Sequence, residues 1–205
     1  MQLLGLNIKK QIDQIPKSVQ RFAIKALILF IVWQVMYIFI LMPNRLIDKP
    51  LSLFTGKSTV AVLKFVGFAN ETYIAKEVPF RLYRDNQLNI YDKTTIFGNG
   101  KRLVGISDSC NGLSLFILYI GFLICFPSKI KLKVLFFFLG IITIFVVNII
   151  RTSMLCIIHE KYPNFLDFAH HYLFNIVVYS TIFLLWVIFS KKSSSIKTNE
   201  YSNEQ

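Results

Sequence analysis

Long runs of apolar residues alternate with polar segments along the chain. Four runs stand out, at residues 22–42, 112–126, 134–150 and 172–189. A helix needs about 20 apolar residues to cross a hydrocarbon core of roughly 30 Å. The pattern therefore predicts an all-α integral membrane protein with about four transmembrane helices in a single membrane domain, residues 1–190. The remaining residues, 191–205, are rich in Ser, Lys, Asn and Glu and are predicted to form a disordered tail.

A fifth apolar segment, residues 51–69, carries Lys57 and Lys64. Placing both lysines in hydrocarbon would cost about 2.5 to 3.5 kcal/mol each. The sequence therefore favours a helix that lies in the outer interface or packs between the spans.

Between Tyr73 and Ser107 the apolar runs become short and strand-like. They are separated by the segments RDNQ and GNGK, whose Asn and Gly residues are typical of tight turns. We expect one or two β-hairpins here, outside the membrane.

Lysine and arginine clusters predict the orientation. Five basic residues lie at or before the start of the first span, three lysines separate the second from the third, and two follow the fourth. Such clusters mark the cytoplasmic side, so residues 43–111 and roughly 151–171 are expected on the outer face and the tail in the cytoplasm.

Composition and charge exclude other classes. The chain is 54% hydrophobic and only 17% charged, which argues against a soluble enzyme and against a disordered protein. Its net charge of +12 is the expected result of basic residues flanking spans, so we expect the lipid bilayer and not nucleic acid as a partner.

Three cysteines, Cys110, Cys125 and Cys156, are too few and too scattered for a disulfide framework or a metal site. No cofactor or metal is expected. One of them could still be a reactive thiol.

The predicted topology brings polar side chains to one membrane face. Cys110 lies at the outer mouth of the second span, Arg151 near the outer end of the third, and His170 and His171 at the start of the fourth. Each of these residues also has an ordinary structural explanation: the cysteine could be a loop residue, the arginine could reach to the headgroups, and a histidine could anchor the interface. Arg151 is the hardest to explain in this way, because an arginine within the membrane is costly and needs a partner.

Together these groups suit acyl transfer. A thiol is mostly protonated at neutral pH, and a nearby Arg or His cation favours the nucleophilic thiolate. Histidine can protonate a leaving amine and then deprotonate an incoming nucleophile. Arginine can stabilise the oxyanion of a tetrahedral intermediate.

Three motifs in this order resemble those of the exosortase and archaeosortase family, over roughly residues 88–186. The run DSCNGLSLFILYIGFLICFP resembles the family's nucleophile signature, NIIRTSML is similar to its Asn-x-x-Arg motif, and HHYLFNIVVY resembles its histidine motif. The resemblance implies an exosortase-like membrane cysteine protease or transpeptidase of the bacterial inner membrane. Such an enzyme cleaves a carboxy-terminal hydrophobic sorting signal of surface or secreted proteins at the outer face, and the short family members occur beside exopolysaccharide or surface-protein systems.

The resemblance also assigns roles. Cys110 would be the nucleophile, Arg151 the stabilising cation and His171 the general acid and base. Supporting roles fall to Asn111, Gly112 and Asn148. The family pattern has a glycine four residues after the histidine, where this chain has Asn175, and this departure leaves His170 as the alternative.

Two other interpretations of the chain's function remain open. Family members commonly have more spans, so the chain could need a partner membrane subunit, or could itself be a noncatalytic subunit of a polysaccharide or protein export system. Alternatively, Cys110 and Cys156 could form a redox pair.

Overall fold

The computed structural model describes residues 16–41, 45–84 and 87–203, and it is mostly helical with one small sheet. Its elements in chain order are α1 (Lys17–Met36, continued by a π-helical turn, Tyr37–Leu41), α2 (Asp48–Phe65), β1 (Ile74–Arg84), β2 (Gln87–Gly98), β3 (Lys101–Ile106), α3 (Leu113–Cys125), α4 (Ile130–Lys161) and α5 (Phe174–Asn203). Short helical turns from Pro163 to Leu173 join α4 to α5.

Within these residues, three helical segments are long and apolar enough to cross a membrane: Val19–Leu41, Ile130–Lys161 and Pro163–Ser195. They correspond to the predicted first, third and fourth spans, and they make the chain a multi-pass membrane protein. The predicted second span is helix α3, which has 13 residues. At 1.5 Å per residue it is about 20 Å long, less than the roughly 30 Å of a hydrocarbon core, so a count of four full spans is not established. Residue 42, the predicted end of the first span, lies outside the described residues.

Helices α3, α4 and α5 share one apolar core. Tyr119 of α3 is fully buried there, and its hydroxyl donates a 2.8 Å hydrogen bond to the carbonyl oxygen of Phe136 in α4. A Cβ atom at Gly140 would come within 2.0 Å of the Tyr119 ring. Only glycine therefore allows α3 and α4 to approach this closely, as small residues do between membrane helices.

Helix α2 packs against α4 and the sheet through a polar face. Ser52, Thr55 and Thr59 are completely buried on that face. Lys57 is exposed, and Lys64 pairs with Glu71 at 2.8 Å, so neither lysine enters the core. The segment is absent from the helices apolar enough to span, in agreement with the prediction of a helix packed beside the spans.

Two hairpins form the antiparallel sheet, in the order β1-β2-β3, as the alternating pattern predicts. The second turn is Asn99-Gly100, where both residues have positive φ, the geometry of a two-residue hairpin turn. The first turn, at residues 85–86, lies outside the described residues. The sheet packs onto α2 and α4 through a cluster that includes Leu63, Ile96, Ile106 and Cys156.

The last helix runs to Asn203, beyond residue 190, whereas the sequence predicts a disordered tail from 191 onward. Adding one residue to an existing helix fixes few dihedrals for each new hydrogen bond, so a long helix propagates into polar sequence. Ser194 also bonds the helix locally, donating from its hydroxyl to the carbonyl oxygen of Ser190 at 3.0 Å.

Candidate active site

Cys110 ends a short turn between the sheet and the membrane helices. Strand β3 stops at Ile106, a single 3₁₀ turn covers Asp108–Cys110, and α3 begins at Leu113. Gly112 has a φ of 90°, a left-handed conformation that L residues rarely adopt, and a Cβ there would lie 3.2 Å from the Asn148 amide nitrogen. This glycine lets the chain turn sharply into α3, so that the Cys110 thiol lies just before the N-terminus of that helix.

The side chain of Asn111 holds the same turn through hydrogen bonds. Its side chain is fully buried, its Oδ1 accepts a 2.9 Å hydrogen bond from the backbone N–H of Leu113, and its Nδ2 donates to Asp48 Oδ1 at 2.8 Å. Asp48 is itself 1% exposed and also accepts a 3.2 Å hydrogen bond from the Tyr37 hydroxyl. Asp48 is thus a positioning residue that sequence reasoning missed, because nothing in the sequence at the start of α2 signals that its carboxylate is buried.

Arg45 holds the other side of the turn. Its guanidinium binds both carboxylate oxygens of Asp108, with the Nε to Oδ2 distance at 3.0 Å, and it donates to the backbone carbonyl of Asp92 in β2. Bidentate arginine–carboxylate pairs fix geometry as well as charge. The sequence motifs assign no role to either residue of this pair, which ties the Cys110 turn to the sheet.

Asn148 and Arg151 approach Cys110 from helix α4. They are three residues apart and so share one helix face. Asn148 Nδ2 donates to the Cys110 carbonyl oxygen at 3.3 Å, and Arg151 Nη2 lies 4.0 Å from the Cys110 sulfur. Arg151 is buried, and among the side chains that the structure describes no carboxylate lies within ion-pair distance of it. The buried positive charge therefore faces the thiol.

The structure brings His170, and not His171, to the thiol. His170 Nε2 is 3.6 Å from the Cys110 sulfur. The His171 ring instead lies beside Asp167, with its Nδ1 at 3.0 Å from the carboxylate, and its side chain is 59% exposed. Of the histidine pair, the member that sequence reasoning preferred points away from the cysteine.

The other cysteines lie elsewhere. None of the three cysteines is in a disulfide bond. Cys125 is buried at the opposite end of α3, and Cys156 is fully buried beneath the sheet among apolar side chains. The structure therefore holds Cys110 and Cys156 apart, in different surroundings.

Chemically, the arrangement places a partly exposed thiol between a permanent cation and an imidazole. Such a set can form a thiolate, stabilise a developing oxyanion and move a proton. The carboxylates of Asp48 and Asp108, which support the turn, bind Asn111 and Arg45.

Comparison with known proteins identifies the family. Searches among curated proteins and among solved structures gave no match. The sequence model for the transmembrane exosortase family matches residues 18–188, a range that runs from the start of α1 into the first half of α5 and includes every residue of the site. The chain therefore belongs to the transmembrane exosortase family.

Proposed function

We propose that this exosortase is a membrane-embedded cysteine protease or transpeptidase, with Cys110 as nucleophile, His170 as general acid and base, and Arg151 as the stabilising cation. The observation that carries the proposal is the meeting of three side chains at one sulfur, with His170 Nε2 at 3.6 Å and Arg151 Nη2 at 4.0 Å. The three residues come from three separate helical elements, so their meeting requires the tertiary fold.

The reaction follows from this geometry. His170 accepts the thiol proton, and the sulfur attacks the scissile carbonyl carbon to form a tetrahedral intermediate. Arg151 stabilises the oxyanion of that intermediate. As the C–N bond breaks, His170 donates the proton to the leaving amine, and a thioester to Cys110 remains. Water or an acceptor amine then attacks the thioester, with His170 as the base, and frees the thiol.

The proposed substrates are surface or secreted proteins that carry a hydrophobic sorting signal at the carboxy terminus. The cleaved bond would lie at the outer face of the inner membrane, where the sheet and the turn that carries Cys110 are expected. This substrate class is the one that the motif resemblance implies for a transmembrane exosortase. The apolar helices support a reaction at the membrane.

The experiment compares native cells that carry or lack this gene. Mass spectrometry of carboxy-terminal peptides from membrane and secreted proteins should find a group of proteins that lose a hydrophobic terminal segment only when the chain is present. Identical termini in both strains would contradict the proposal and favour the noncatalytic subunit of an export system. A truncated protein found in this way then serves as the substrate in the experiments below.

Arg151→Lys tests the role of the cation. Lysine keeps the charge but lacks the planar fork of donors, so oxyanion stabilisation should weaken. We expect processing to slow by about a hundredfold to a thousandfold, the loss typical of one oxyanion donor. The measurement is the rate of cleavage in membranes at matched protein abundance.

The matched control for this variant is Arg21→Lys, because Arg21 is exposed at the start of α1. It should process at the normal rate. A normal rate for Arg151→Lys as well would show that the guanidinium fork is not needed.

A further inference from the structure

A cavity runs along one edge of the sheet. It has a volume of about 340 Å³ and is lined on one side by Leu103, Val104 and Gly105 of strand β3. Side chains of a strand alternate between its two faces, so a cavity on one face would contact every second residue. The register of β2 and β3 shifts at Leu103, which has no partner in β2, so its contact with the cavity does not follow this alternation. Gly105 has no side chain, so beyond the shift the strand lines the cavity with its backbone.

That edge has no strand beside it. Within the described residues, β3 pairs with β2 on one side only and is the last strand of the sheet. An antiparallel pair uses the hydrogen-bonding groups of alternate residues, so in the regular part of β3, from Val104 to Ile106, the other N–H and C=O groups point outward. An edge of this kind is a template for another extended chain.

The opposite wall of the cavity leads to the candidate active site. Pro163, Leu166, Asp167 and His170 line it, at the spacing of one helix face. His170 is the residue whose Nε2 lies 3.6 Å from the Cys110 sulfur. A chain lying along β3 would therefore reach the catalytic residues directly. We call this cavity the β3 groove.

We propose that the β3 groove binds the stretch of substrate that precedes the cleaved bond, as an extended strand added to β3. The inference rests on the proposed function and specifies how its substrate is held. A sorting signal that follows the bond is apolar and stays in the bilayer, so the preceding residues are the ones on the side of the sheet.

The chemistry of the groove favours an extended peptide over other occupants. An acyl chain would leave the outward backbone groups of β3 without hydrogen-bond partners. A helix is about 10–12 Å wide and has used its own backbone groups. An extended peptide satisfies the edge through main-chain hydrogen bonds, which tolerate varied sequence.

The test uses the full-length protein in detergent and a sequence-neutral probe, acetyl-Ala-Ala-Ala chloromethyl ketone. The Cys110 sulfur attacks the methylene carbon of the probe, an S–C bond forms, chloride leaves and the thiol proton passes to His170. Intact-mass spectrometry gives the rate constant of labelling. Three further probes each carry one N-methyl group, on the first, second or third alanine.

Strand addition predicts an alternating result. N-methylation should slow labelling by about two- to tenfold at alternate alanines, the effect of one lost hydrogen bond, and should have little effect at the alanine between. Iodoacetamide has no peptide portion, so it serves as the control reagent: it should label Cys110 at the same rate in the wild type and in the variants described next. Strand addition is overturned if all three N-methyl groups slow the labelling of Cys110 equally, or if none of them slows it.

A protein variant gives an independent check. Leu166→Trp narrows the groove and should slow the peptide probe by about tenfold, a loss equal to about one good hydrogen bond, while iodoacetamide reacts as before. The matched control is Phe168→Trp, because Phe168 lies on the same segment but is 51% exposed and does not line the groove. Equal rates in the two variants contradict the proposal.

Three further outcomes are distinguishable. A labelling rate constant that falls as protein concentration rises would indicate that a second copy of the chain covers β3, and it overturns the substrate site. Loss of the alternating pattern while cells still process their substrate overturns strand addition alone. Continued processing by Cys110→Ala overturns the proposed function, and the docking inference with it.

Discussion

Replacing Cys110 by alanine is expected to abolish cleavage of the substrate while the protein still inserts into the membrane. Alanine cannot attack the scissile carbonyl, so no thioester can form. Removal of a nucleophile typically costs on the order of 10⁶-fold in rate, which is below detection in membranes. The measurement is the ratio of full-length to truncated substrate at matched abundance of the enzyme.

Cys125→Ala and Cys156→Ala are the matched controls for this prediction. Both thiols are buried, at 6% and 0% exposure, and neither lies at the site. Each alanine leaves a small cavity, so these variants should lose some stability but process the substrate at close to the normal rate. Normal cleavage by Cys110→Ala would make the chain a noncatalytic subunit, and loss of cleavage in Cys156→Ala alone would revive a redox role for that thiol.

Much of the architecture is readable from the apolar pattern. The long apolar runs predict α1, α4 and α5, and the segment with Asn and Gly turns predicts the hairpins. The length of α3 was less accessible, because residues 112–126 are apolar apart from Ser114 although the helix covers only Leu113–Cys125. Hydropathy reports which residues avoid water, but it does not report where a helix ends.

The position of α2 also depends on tertiary packing that the sequence pattern does not predict. Its buried face includes three small polar residues, Ser52, Thr55 and Thr59, beside Gly56 and the apolar Val60 and Leu63. A polar face of this kind is indistinguishable from a solvated one until the facing helix is known. The same argument applies to Asp48, whose carboxylate becomes a support for Asn111 only in the folded protein.

The choice between the two histidines shows how local geometry can reverse a sequence inference. The buried stripe of α5 consists of Phe174, Val178, Ile182, Leu185 and Phe189. Extending this stripe backwards at 100° per residue puts His171 about 20° from its centre and His170 about 80° away, which favours His171. The structure instead has a π-helical turn over Ala169–Leu173. Each residue of such a wider turn rotates less about the axis, so His170 moves to the inner face and His171 moves off it.

The turn itself carries no sequence signal that would have revealed it. Asn175 stabilises it in the structure, since its Nδ2 donates to the His171 carbonyl oxygen at 2.8 Å. This is the position where the family pattern has glycine. The departure from the pattern and the rotation of the histidines thus occur at the same place, and π-helical turns are frequent at functional sites.

His170→Ala is therefore expected to be severe and His171→Ala mild. Loss of a general acid and base typically slows a reaction by about 10² to 10⁴-fold. His171 contacts Asp167 at the surface, and exposed polar contacts of this kind contribute little to stability even when both groups are charged, about 0 to 1 kcal/mol. The two variants remove the same side chain from adjacent positions, so each controls for the folding and insertion of the other.

The readout that separates catalysis from packing is the pH dependence of cleavage. The wild type should show a rate that depends on the protonation of an imidazole, and His171→Ala should keep this dependence. His170→Ala should lose it along with most of the rate, whereas a merely structural defect would lower the rate and leave the shape of the profile unchanged. If His171→Ala is the inactive variant and His170→Ala retains both rate and profile, the π-helical turn must rearrange when substrate binds, and the assignment returns to the histidine that the sequence motif favours.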